Sequence, residues 1–195
     1  MRTLFVIMSC LIMLFVWGCS SSYDANRSDK TTSSYNGDNT NTYYSDIGQY
    51  YHLSPQDVTT IHDRRVPNDE LPVVFFIAQR AHVEPSTVAD LRMRGTSWMD
   101  ISNQYGLTPE VFYVPVSGEV TGGPYEQVYT YYKDKPRTEW NTIRLSDDDV
   151  INVVNLRFLS EYSGLDTPTI MKMRSEGKDF IEINQSAKMK KEGRQ

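Results

Sequence analysis

The 195-residue sequence predicts a mainly α-helical fold: two divergent tri-helical, helix-turn-helix-like repeats joined by a partly irregular, Tyr-rich connector. Apolar residues recur at helical spacing from about residue 52 to about residue 185, with Pro, Ser, Asp and Gly at the joints. Sliding the sequence by 82 residues (156 − 74) also lays residues 74–102 on 156–184 without a gap. Phe76, Thr87, Arg92, Gly95 and Ile101 then meet Phe158, Thr169, Arg174, Gly177 and Ile183 as identities. Val83, Val88, Leu91, Trp98 and Asp100 meet Leu165, Ile170, Met173, Phe180 and Glu182 as like for like.

The first element is a leader. Arg2 precedes an apolar run of about 14 residues, Leu4 to Trp17, against roughly 20 for a helix that crosses a bilayer. Residues 1–18 therefore have the build of a cleavable signal peptide. The run ends in Val16-Trp17-Gly18-Cys19, which resembles the lipobox of bacterial lipoproteins. That resemblance implies that Cys19 becomes the lipidated mature N-terminus, carrying palmitate or a similar acyl chain. Several acyl chains, at about 0.8 kcal/mol per buried methylene, hold a protein on a membrane without spanning it. By the sorting rule of some Gram-negative bacteria, Ser20 after the cysteine implies the outer membrane. The other cysteine, Cys10, lies in the leader, so one mature chain has no partner for a disulfide or a cysteine-based zinc site.

Cys19 and the Ser, Thr, Asn and Asp-rich stretch after it, residues 19–50, read as a lipidated cysteine on a disordered tether. A coil of that kind reaches roughly 25–30 Å. A helical domain is expected over residues 51–185, with repeats at about 68–107 and 148–185, followed by a basic flexible tail, 186–195. Ser54 and Pro55 open a short helix to about Arg64. Acidic residues and Pro72 begin the first helix of the first repeat. Gly95 and Gly177 end the middle helices, and Ser97 with Asp100, or Asp179 with Glu182, cap the third ones. In the connector, Thr108-Pro109-Glu110 starts another helix, Gly122-Gly123-Pro124 is a break, and Tyr125, Val128, Tyr129 and Tyr132 share one helical face. Ser146 and the three aspartates after it open the second repeat.

Each repeat resembles the helix-turn-helix motif in its packing positions: Ala78, His82, Val83, Val88 and Leu91 in one, Ser160, Gly164, Leu165, Ile170 and Met173 in the other. The turn glycine of that motif occurs only in the second. DNA contact needs cations on the second helix, and Arg92, Arg94, Lys172, Arg174 and Lys178 are the candidates. Glu84, Asp90, Asp166 and Glu176 lie among them, the chain has a formal net charge of −5, and it carries an export signal. Nucleic acid is therefore not an expected partner.

Catalysis finds little footing. His52, His62 and His82 follow no metal-ligand spacing, and no HExxH, GxSxG or glycine-rich phosphate loop is present. No catalytic residue, metal or cofactor is expected. The preferred expectation is an envelope lipoprotein, held to the membrane through Cys19 and facing the periplasm or cell surface. It acts as a non-enzymatic interaction or structural protein with an envelope protein as partner. The alternative is an envelope ligand-binding protein or enzyme with a site between the repeats. For either, Arg92, Trp98, Arg174 and Phe180 are the candidate interaction residues; a DNA-binding protein ranks third.

Overall fold

The computed structural model describes residues 28–193, so the leader and Cys19 lie outside the described residues. The described residues are mainly helical, as expected. The α-helices are α1 (Ser28–Tyr51), α2 (Pro55–His62), α3 (Leu71–Ala81), α4 (Pro85–Met93), α5 (Trp98–Gln104), α6 (Glu126–Asp134), α7 (Asp147–Ser163), α8 (Thr167–Ser175) and α9 (Phe180–Glu192). Two 3-10 segments, Pro109–Phe112 and Arg137–Thr142, interrupt the connector. The core runs along α3 and α7, which pack on each other. The outer helices lean on this pair: α4 on α3, α8 on α7, and α1 across α2, α3, α7 and α9.

Local chemistry sets the helix starts. Ser54 at α2, Ser146 at α7 and Asp179 at α9 form full capping boxes with Asp57, Asp149 and Glu182, which satisfies backbone N–H groups that have no partner within the helix. Ser97 caps α5 by accepting from the Asp100 N–H. The ends of α3 and α7 both pass through the left-handed region, at His82 (φ 56°) and Gly164 (φ 73°). Only the second of these positions holds the residue that adopts this conformation without cost.

Element positions repeat at the same spacing. Helix α8 begins and ends 82 residues after α4 (167 − 85, 175 − 93), and α9 begins 82 after α5 (180 − 98). The coincidence extends upstream of the sequence match. The Arg137–Thr142 segment begins 82 residues after α2 (137 − 55), and buried Tyr125 lies 82 after buried Tyr43.

Three expectations are corrected. Residues 19–50 are not a tether throughout, because α1 occupies 28–51 and its second half buries Tyr43, Tyr44, Ile47 and Tyr51. These positions form one stripe down the helix, and their large apolar area offsets the entropy of ordering a polar segment. Polar anchors help: Tyr43 donates to Asn155 (2.8 Å) and Tyr44 to Asn68 (2.6 Å). Buried Asp46 accepts from Tyr162 (2.9 Å) and Asn184 (2.7 Å) and pairs with Lys188 (2.9 Å). The Tyr162 phenol is pushed up to about 12 by burial and by this bond to Asp46. Second, residues 186–195 are not a flexible tail in their first part, since α9 continues to Glu192, buries Ala187 and lends Lys188 to Asp46. Third, Thr108-Pro109 opens a single 3-10 turn, not an α-helix.

Candidate functional site

The four residues singled out in the sequence form two corners, one at the end of α4 and one at the end of α8. In each, an arginine in the last turn lies over the aromatic residue that opens the next helix. The Arg92 guanidinium is 4.7 Å from the Trp98 ring centre and Arg174 is 4.6 Å from that of Phe180. Each also donates through Nη1 to the carbonyl two residues before its ring, Arg92 to Thr96 (3.3 Å) and Arg174 to Lys178 (3.1 Å). Trp98 is 0% and Phe180 2% exposed, so both rings are part of the core, and the arginines cover what faces outward.

The two corners differ in what surrounds the guanidinium. Arg92 donates from Nε and Nη2 to both oxygens of buried Glu70 (2.9 and 2.6 Å), a bidentate pair. Its Nη1 reaches one oxygen of Asp147 at 2.5 Å, and the other oxygen of Asp147 accepts the Trp98 backbone N–H at 2.7 Å. One carboxylate thus bridges the guanidinium and the start of α5. The Arg92 pKa is driven further upward, first by the Glu70 hydrogen bond, against the opposing effect of burial.

At the other corner the residue 82 positions after Glu70 is Asn152, uncharged and reached by Arg174 Nε only at 3.4 Å. Among the described residues Arg174 makes no ion pair. Arg65 lies 82 positions before Asp147 and has the wrong sign. The turn that carries it, 65–69, instead brings Asn68 and Asp69 to the Arg174 corner, where they face it across a cavity of about 270 Å³ that Tyr43, Phe180 and Ile181 also line. Burial holds the Asp69 carboxyl above its ordinary range, and the charge of Arg174 works in the opposite direction.

The Arg92–Trp98 and Arg174–Phe180 pairs are thus brought together within each corner. Sequence reasoning did not identify Glu70, Asp147, Asn152 or Asp69 as their surroundings. Positions 70 and 152 fall just outside the matched window 74–102, so extending the match by four residues pairs them. Asp147 also supplies the favourable negative charge at the start of α7 that its place in the sequence predicts.

Elsewhere, a groove of about 610 Å³ lies between the 113–121 loop and α6, walled by Tyr113, Tyr129, Tyr132 and Trp140. Its buried polar groups are committed internally: Tyr129 donates to the Val114 carbonyl (2.8 Å), Tyr132 to that of Pro109 (2.6 Å), and the Trp140 indole to those of Tyr132 and Lys135 (both 3.1 Å). His52 and His82 are exposed, and His62 rests against the Tyr44 ring (5.3 Å). No group of three His, Cys, Asp or Glu side chains able to hold a metal occurs among the described residues, and no described helix is long and apolar enough to cross a membrane. The chain matches no protein-family model, no curated protein and no solved structure.

Proposed function

We propose that the protein is an exported lipoprotein, anchored through lipid on Cys19 to the outer membrane and facing the periplasm or cell surface. Its helical domain acts there as a non-enzymatic interaction or structural element with an envelope protein as partner. The single observation that carries this reading is the Val16-Trp17-Gly18-Cys19 sequence at the end of a short apolar leader. The start of α1 at Ser28 is nine residues beyond Cys19 (28 − 19). A fully extended chain of that length spans at most about 30 Å. In this reading the domain works close to the bilayer surface.

The correspondence of the two corners supports treating α1 to α5 and α6 to α9 as two divergent copies of one unit, the second having α2 replaced by the 3-10 segment. The polar commitments inside the Tyr-rich groove favour a structural role for its aromatics. Metabolic labelling with palmitate tests the anchor. Label should appear in the full chain and vanish in Cys19→Ala, with the variant leaving the membrane fraction. Unlabelled protein in the cytosol overturns the reading.

A further inference from the structure

We propose that the cavity at Arg174 binds the zwitterionic head of an α-amino acid, its carboxylate on the Arg174 guanidinium and the Phe180 backbone N–H, its ammonium on Asp69. The carboxylate half of this assignment is drawn within the same molecule. At the Arg92 corner the Asp147 carboxylate does what the ligand does here, with one oxygen on the guanidinium (2.5 Å) and the other on the N–H that opens the following helix (2.7 Å). Arg174 and Phe180 repeat the arginine-over-ring geometry (4.6 Å), and the position is vacant of any ion-pair partner for Arg174 among the described residues. The start of a 13-residue helix, α9, adds its dipole to the attraction.

The ammonium half follows from charge. The cavity is lined by one cation, Arg174, and two carboxylates, Asp69 and Asp179. Asp179 is exposed and its Oδ1 already accepts the Glu182 N–H (2.8 Å); Tyr43 donates its hydroxyl to Asn155 (2.8 Å). Asp69 is half-buried and beyond ion-pair distance of Arg174, while still feeling its charge. A simple carboxylate arriving at Arg174 would set a further negative charge beside Asp69. A zwitterion adds no net charge and gives Asp69 a cation, so both faces of the cavity are satisfied at once. At about 270 Å³ the space is at the small end of the range for ligand pockets, roughly 300–1,000 Å³. Phe180 and Ile181 provide an apolar wall for a short side chain.

The test is a titration of the full chain in detergent, followed through the Phe180 amide resonance, with alanine, Nε-acetyl-lysine, acetate and methylammonium as separate probes. Saturable binding of alanine or Nε-acetyl-lysine is expected, at least about tenfold tighter than acetate or methylammonium. Arg174→Gln and Asp69→Asn should each weaken it by about tenfold or more. Tighter binding of Nε-acetyl-lysine than alanine assigns the head to a residue attached through its side chain; the reverse order assigns a free amino acid. Acetate bound as well as alanine, absence of saturation by both amino-acid probes, or binding unchanged in both variants overturns the proposal. If Arg174→Gln loses its helical signal, Asp69→Asn, a near-isosteric change in a turn, carries the test. The inference does not depend on the anchor: Cys19→Ala abolishes labelling and leaves the amide shifts in place.

Discussion

The corners at Arg92 and Arg174 share an arginine, an aromatic ring, a carbonyl contact and a helix start. They differ in the side chains that surround them. Glu70 and Asp147 close the first corner, whereas Asn152 and the retracted Asp69 leave the second with a cavity and an unpaired cation. The same local geometry is therefore closed by carboxylates in one place and left open to a cavity in the other. The distinction comes mainly from residues that other parts of the chain bring to each corner. A repeated motif can keep its shape while its role diverges through the charge of its neighbours.

The largest expected effect breaks the closed corner. Arg92→Met leaves Glu70, whose side chain is 10% exposed, buried without a cation. It should cost about 3 kcal/mol or more in urea unfolding. Arg174→Met loses mainly a cation–π contact and one carbonyl bond, and should cost about 1 kcal/mol. Equal costs would erase the comparison. Asp147→Asn comes next. It removes the charge that bridges Arg92 and Trp98 while keeping the N-terminal position of α7, and a loss of about 1–2 kcal/mol is expected in the same assay.

A smaller effect separates the two joints between first and middle helices. His82 holds φ 56° without the freedom of glycine, while Gly164 holds φ 73° with it. His82→Gly should stabilise by about 0.5–1 kcal/mol and Gly164→Ala should destabilise by a similar amount, both read from thermal midpoints. Opposite signs sharpen the comparison; a loss at both sites breaks it.

The smallest effect is a pH dependence at the open corner. Burial raises the Asp69 pKa above its ordinary value of 3.8, so the folded state binds this proton more tightly than the unfolded chain. Its contribution to stability is full below 3.8 and is lost as pH rises through the folded value. Asp69→Asn should remove that loss. The variant's stability relative to the parent should then increase as the pH rises above 3.8, as followed by urea midpoints at successive pH values.

Helix class and most helix starts were legible in the sequence because they rest on local rules. Ser54, Ser146 and Asp179 each carry their capping partner three residues on. Helix α1 was not legible. Its polar composition masks the stripe Tyr43, Tyr44, Ile47 and Tyr51, and Asp46 becomes tolerable inside only because Lys188, Asn184 and Tyr162 converge on it from more than a hundred residues away. The difference between the corners was hidden for the same reason. Asp147 reaches Arg92, and Asp69 comes to line the cavity at Arg174, across the fold, and no spacing in the chain announces either placement.

The clasp between α1 and α9 also bears on mechanics. Asn39 donates to Gln185 (3.0 Å), and Asp46 is held by Asn184 and Lys188, so the first and last described helices are cross-linked side by side. A load entering α1 is therefore shared with α9 through these bonds.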